Sequence, residues 1–207
     1  MTTAWRAHLG LGSDPTETRT LMAPARKTVG IVLYPGFEVL DVYGPLMSGQ
    51  GVATVAQYGF ADAPPLDIVM VPGGVGTRSE LENAALINYL RAQDQRSELT
   101  TAVCTGPALL ARDGVLNGRW ATSNKRFLSL AAKQDPGVQW VFAARWVEDG
   151  KFVTRSGVSA GTDIALAVIA RLFGNPRAEA IASGVEYEWH TDASVDPLAK
   201  FADWPAH

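Results

Sequence analysis

The chain has 207 residues, with 18 Lys and Arg against 21 Asp and Glu and a formal net charge of −3. That length suits one domain with a sizeable core, and the charge balance offers no global electrostatic case for nucleic acid. No run approaches the roughly 18 apolar residues of a membrane span, and a single cysteine cannot form an internal disulfide, which suits a reducing cytoplasm.

Residues 1–26, rich in Thr, Ala, Arg and Pro, lack the apolar middle of a secretory signal and read as an extension, with Met22 an alternative start. Thr28–Tyr34 is a continuous β-branched and apolar run, as expected of a strand covered on both faces, and Pro35-Gly36 ends it. Asp67–Val71 is a second such run, stopped by Pro72-Gly73-Gly74. Ser79-Glu-Leu-Glu82 matches a capping box, with Leu81, Ala85, Leu86, Tyr89 and Leu90 following at helical spacing. Leu99–Val103 predicts a third strand, and Ala108–Ala111 a short helix after Cys104-Thr105-Gly106-Pro107. A strand near Trp120–Thr122 precedes a helix near Lys125–Lys133. Gln139–Val147 and Lys151–Thr154 flank Glu148-Asp-Gly150, a hairpin signature. Ser159 opens a helix with Ile164, Ala165, Val168, Ile169 and Leu172 on one face, closed by Gly174. Asn175-Pro176 starts another, running to about His190. Helices alternating with buried strands predict an α/β fold: a flavodoxin-like open, mostly parallel sheet with helices on both faces. Residues 27–198 form its single domain and 199–207 a tail.

Ligands of such sheets sit beyond the carboxyl ends of the strands. Three features fall there: Asp41 after the first strand, Gly73-Gly74 after the second, and Cys104-Thr105 after the third. The sharp turn at Cys104 raises its thiol at the sheet edge and aims the free N–H groups of the next helix at the sulfur, favouring thiolate. Gly73 and Gly74 let backbone N–H groups approach a reacting atom, as an oxyanion hole requires, or simply make a tight turn. Asp41 is a proton carrier or a helix cap.

Pro72-Gly73-Gly74, Val103-Cys104-Thr105-Gly106 and Ser156-Gly157-Val-Ser-Ala-Gly161-Thr-Asp163 together resemble the ThiJ/PfpI superfamily, a class I glutamine-amidotransferase-like group. Leu40-Asp41-Val-Tyr-Gly-Pro45 with Cys-Thr-Gly is similar to its isonitrile hydratase branch. The resemblance implies a small-molecule substrate, no cofactor, no metal, no nucleic acid or membrane partner, and a homodimer that a monomeric mass by light scattering would refute. It implies that Cys104 attacks an isonitrile to form a thioimidate, that Asp41 holds a water which completes the N-formamide, and that the Thr105 hydroxyl orients Asp41 or that water. The N–H groups near Gly74 and Thr105 would stabilise developing negative charge.

A peptidase, amidase or glyoxalase-type enzyme on the same thiol would need a nearby histidine. The segment where relatives place one reads Ser123-Asn124-Lys125. His8 and His207 fall in the tails, and His190 ends a helix, where a cation suits the dipole. A non-catalytic redox sensor, its thiol open to sulfenic and sulfinic oxidation, is the remaining class. Only Leu46 to Gln50 separate Pro45 from Gly51, too few for a strand–helix–strand crossover. The resemblance implies the rest of the first helix and a second strand in this stretch, so an edge strand and part of that helix are expected to be missing, exposing apolar surface and weakening support for Asp41. Glu186, Glu188, Asp192 and Asp196 read as a solvated acidic face, Lys125-Arg126 as a surface helix start, and Asp163 as satisfying a helix N-terminus.

Overall fold

A computed structural model describes residues 27–38, 56–157 and 161–203. Asp41, the Leu46 to Gln50 stretch, Ser159, Trp204, His8 and His207 lie outside the described residues, as do residues 1–26. The main sheet has five strands in the order β1 (Val29–Ile31), β2 (Ile68–Val71), β3 (Leu99–Ala102), β7 (Phe152–Arg155), β6 (Trp146–Asp149). The first four are parallel, and β6 returns antiparallel to β7 through the turn at Gly150. Among the described residues six helices accompany them: α1 (Thr77–Glu80), α2 (Ala84–Asp94), α3 (Pro107–Arg112), α4 (Leu128–Ala132), α5 (Gly161–Phe173) and α6 (Asn175–Gly184).

Strand alternation sends successive side chains to opposite faces, and the core divides accordingly. Val69, Val71, Ala102 and Phe152 pack with Leu86 and Leu90 of α2 and Ala108–Ala111 of α3. Ile68, Leu99, Trp146 and Val153 pack with Ile164 and Ala167 of α5. Both faces of the central strands are thus covered by helices, which is why β2 and β3 read as unbroken apolar or β-branched runs. This is the expected flavodoxin-like arrangement.

Several local expectations are corrected. β1 is three residues long, and its Val29 and Ile31 are 55% and 40% exposed rather than covered. They border a cleft of about 600 Å³ whose other walls include Tyr58, Phe60 and Tyr89. Apolar surface is therefore open beside β1; the stretch after Pro45, expected to lack an edge strand, lies outside the described residues. The cap of α2 is Asn83, whose Oδ1 accepts from the Leu86 N–H at 3.2 Å, whereas Ser79 donates its hydroxyl to the Gly76 carbonyl. Of the run thought to enter the hairpin, Gln139–Trp140 (β5) instead pairs in parallel with Trp120–Ala121 (β4) in a separate two-stranded sheet. Ala165 faces outward on α5, where Leu166 and Ala167 are buried. α6 stops at Gly184, so His190 does not end it but lies beyond it in irregular chain.

Asp163 stands in the first turn of α5, where a carboxylate suits the helix N-terminus. Its fully buried carboxylate accepts from Arg145 Nη2 at 2.7 Å, Tyr187 Oη at 2.9 Å and the His190 N–H at 3.1 Å, tying the C-terminal segment to the core. Asp196 leaves the acidic face as well: it is buried, accepting from Ser156 Oγ at 2.6 Å.

Candidate active site

Sheet register assembles the site. Val71 pairs with Ala102 and Ala102 with Thr154, so Gly73, Cys104 and Ser156, each two residues further on, emerge at one level of the carboxyl edge. Cys104 has φ +56° although it is not glycine, and it is 6% exposed. An L-residue in the left-handed region is strained by roughly 1–2 kcal/mol. Here the surroundings over-determine it: the Cys104 carbonyl accepts from the Asn124 N–H at 2.8 Å and from Ser123 Oγ at 2.9 Å. The following turn closes through the Gly106 N–H on the Val103 carbonyl at 2.8 Å.

The sulfur accepts from Asn124 Nδ2 at 3.2 Å. The amide cannot turn over without loss, because its Oδ1 accepts from the Arg126 N–H at 3.0 Å. Asn124 caps the 3₁₀ turn Lys125–Phe127 and is thereby locked as a donor to the thiol. Residue-type reasoning registered this segment only as lacking a histidine. The signal it carried was a polar amide directly after β4, at the position from which a donor reaches the nucleophile turn.

The expectation of helix N–H groups aimed at the sulfur is corrected. α3 has only six residues, begins with Pro107, which has no N–H, and its next two amides close local turns on the Thr105 and Gly106 carbonyls. The Thr105 N–H remains, donating to no atom among the described residues. The Gly74 N–H is corrected too: it donates to Thr105 Oγ1 at 3.0 Å rather than facing a substrate. Thr105 Oγ1 also lies 2.8 Å from Thr77 Oγ1, so its hydroxyl is engaged in the scaffold and not with a water over the sulfur. Thr77 Oγ1 in turn lies 3.1 Å from Tyr34 Oη, which donates to the Pro72 carbonyl at 2.7 Å. Gly73 is required for close approach, since a Cβ there would lie 2.4 Å from Thr105 N and 2.8 Å from Cys104 Cβ. Gly74, at φ +135°, would place a Cβ 2.3 Å from the Gly36 carbonyl oxygen.

Lys125 is not a surface residue. It is 4% exposed, with Nζ donating to Thr122 Oγ1 at 2.9 Å and to the Ala144 carbonyl at 2.6 Å, and standing 3.8 Å from Asp196 Oδ2. Burial lowers its pKa to about 8, against the opposing pull of Asp196. Arg126, next in sequence, faces solvent beside a pocket of about 360 Å³ that Asn124 also lines. His190 is the sole histidine among the described residues, and its backbone, through Asp163, is what the fold uses. No group of three or more His, Cys, Asp or Glu able to hold a metal occurs among the described residues, and no described helix is long and apolar enough to cross a membrane.

Comparison with known proteins places these motifs. The DJ-1/PfpI family model matches residues 31–171. Isonitrile hydratase from Pseudomonas putida is 28% identical over 181 residues, covering 77% of this chain and 78% of its own length. Protein dj-1beta of Drosophila melanogaster is also 28% identical, over 120 residues, of which the match spans 58% of this chain and 63% of the relative. Among solved structures, a ThiJ/PfpI family protein from Pseudomonas syringae superimposes with a TM-score of 0.69 at 25% identity, covering 88% of this chain and 84% of that one. A cysteine-to-alanine variant of a DJ-1 superfamily protein from Salmonella typhimurium gives 0.68 at 24% identity, covering 79% and 100%, a likeness of fold.

Proposed function

Because the chain belongs to the DJ-1/PfpI family, we propose that it is a cysteine-dependent hydratase converting an isonitrile to an N-formamide, with Cys104 as nucleophile. The observation that carries this reading is the held sulfur: a thiol on a strained strand-to-helix turn, with a locked amide donor at 3.2 Å and no imidazole beside it among the described residues. A neutral amide stabilises a thiolate without competing for the proton. Peptide or amide hydrolysis, by contrast, needs a group that protonates a leaving amine, and an isonitrile has no leaving group to protonate.

In the proposed cycle the thiolate attacks the terminal isonitrile carbon, and a protonated Asp41 delivers its proton to that carbon, giving a thioimidate. Asp41, now a carboxylate, takes a proton from water as the hydroxide adds to the same carbon, and passes it to nitrogen. Collapse breaks the C–S bond, returns the thiolate, sends the hydroxyl proton to Asp41 and releases the formamide, so one water is consumed for one isonitrile. The Thr105 N–H is the donor available to the developing oxyanion. Incubating the protein with an aliphatic isonitrile should yield the formamide by mass spectrometry, and Cys104→Ala should abolish it. Formamide made by the alanine variant would reject Cys104 as nucleophile.

A further inference from the structure

The pocket lined by Asn124 carries a charge pattern that the proposed chemistry does not require. Its walls include the apolar side chains of Leu198 and Phe201, the Ser156-Gly157 end of β7 and Arg126. Among the described residues the one carboxylate in the wall, Asp196, is satisfied internally: it accepts from Ser156 Oγ at 2.6 Å and the Leu198 N–H at 2.9 Å, and it faces buried Lys125 at 3.8 Å. The nearby Asp203 carboxylate accepts from the N–H and hydroxyl of Ser129. Arg126, in contrast, has no carboxylate within 4.0 Å among the described residues, and neither has Lys200.

Both cations sit against one ring. The Arg126 guanidinium carbon is 5.5 Å from the Phe201 centroid, and Lys200 Nζ is 5.2 Å from it. A guanidinium held over an aromatic face keeps its N–H donors, which can bind a carboxylate in fork geometry. The volume, about 360 Å³, falls within the range of small-molecule sites. Asn124 joins this pocket to the sulfur, since the residue lines the one and donates to the other.

From this we infer that the pocket is an anion subsite, in which Arg126 holds a carboxylate of the substrate that Cys104 attacks. Resting on the hydratase reading, it names the substrate class: a small isonitrile with a short apolar body and a carboxylate at the far end.

Two measurements test the subsite, one of them independent of the reaction. Cys104 is the only cysteine, so its alkylation by iodoacetate and by iodoacetamide, reagents of like size that differ in charge, can be followed by intact mass. Arg126→Gln should lower the iodoacetate-to-iodoacetamide rate ratio about fivefold, the factor for losing one contact between unit charges in water. Arg126→Lys should restore it, and high salt should erase the wild-type preference. An unchanged ratio in Arg126→Gln overturns the subsite. Failure of both reagents to react overturns it too, because the pocket would then not lead to the sulfur. In the second measurement, isocyanoacetate should show a higher kcat/KM than its methyl ester, and Arg126→Gln should remove the advantage through KM. Equal kcat/KM for acid and ester overturns the assignment to substrate. If neither isonitrile is consumed while the alkylation ratio still responds to Arg126, the hydratase reading falls and the anion subsite stands.

Discussion

Replacing Asn124 with Leu isolates the contact that holds the sulfur. The substitution removes the Nδ2 donor at 3.2 Å from Sγ and keeps a side chain of similar size. Hydrogen bonds to charged groups contribute about 1.5–3 kcal/mol, and about 1.4 kcal/mol is a factor of ten in thiolate population. Alkylation of Cys104 by iodoacetamide at pH 7 should therefore slow by about ten- to a hundredfold. The gap should close as pH rises and the sulfur ionises in both proteins. A second effect travels separately: losing Oδ1 uncaps the Lys125–Phe127 turn, which should cost about 1 kcal/mol in urea unfolding. Asn124→Asp separates the two, since it keeps the capping oxygen and replaces the donor with an acceptor, so it should slow alkylation at least as much while retaining the turn. If Asn124→Leu reacts at pH 7 within twofold of wild type, the amide does not hold the thiolate and the reasoning fails.

Two further outcomes follow from backbone strain and buried charge. With φ +56° at position 104, Cys104→Gly should be more stable than Cys104→Ala by about 1 kcal/mol in urea unfolding, and the reverse order would refute strain at the turn. Lys125, with its pKa lowered to about 8 in the fold, binds its proton less tightly there than in the unfolded chain. Stability relative to Lys125→Met should therefore rise as pH climbs from about 8 to 10.5, by roughly 2–3 kcal/mol, and a flat or falling difference in pH-resolved unfolding would contradict it.

Elements whose identity rests on neighbouring residues were legible from the chain alone. β2 and β3 are apolar or β-branched throughout because helices cover both faces, and Pro72-Gly73-Gly74 and Cys104-Thr105-Gly106 mark where backbone must turn at the sheet edge. The turn at Gly150 announced the β6–β7 hairpin. What stayed hidden depends on distant partners. Lys125 looks solvated until Thr122, Ala144 and Asp196 close around its ammonium. Asp163 is readable as a first-turn carboxylate, but not as the acceptor that Arg145, Tyr187 and the His190 backbone reach. The thiol's position was readable, but its donor was not, since Asn124 approaches Cys104 from across the sheet edge. Gly74 offered an oxyanion donor on paper because nothing local reveals that Thr105 Oγ1 occupies its N–H.

The hydroxyls of Tyr34, Thr77 and Thr105 each carry a single proton, which makes their sequence directional. Tyr34 spends its proton on the Pro72 carbonyl, which leaves its oxygen to accept from Thr77, while the Thr105 hydroxyl has two acceptors in reach, Thr77 Oγ1 at 2.8 Å and the Gly74 carbonyl at 3.3 Å. Thr105 Oγ1 is then left as the acceptor that the Gly74 amide meets. Polarity at the Cys104–Gly106 turn is thus tied, through two threonine hydroxyls, to a phenol on the far side of the glycine loop.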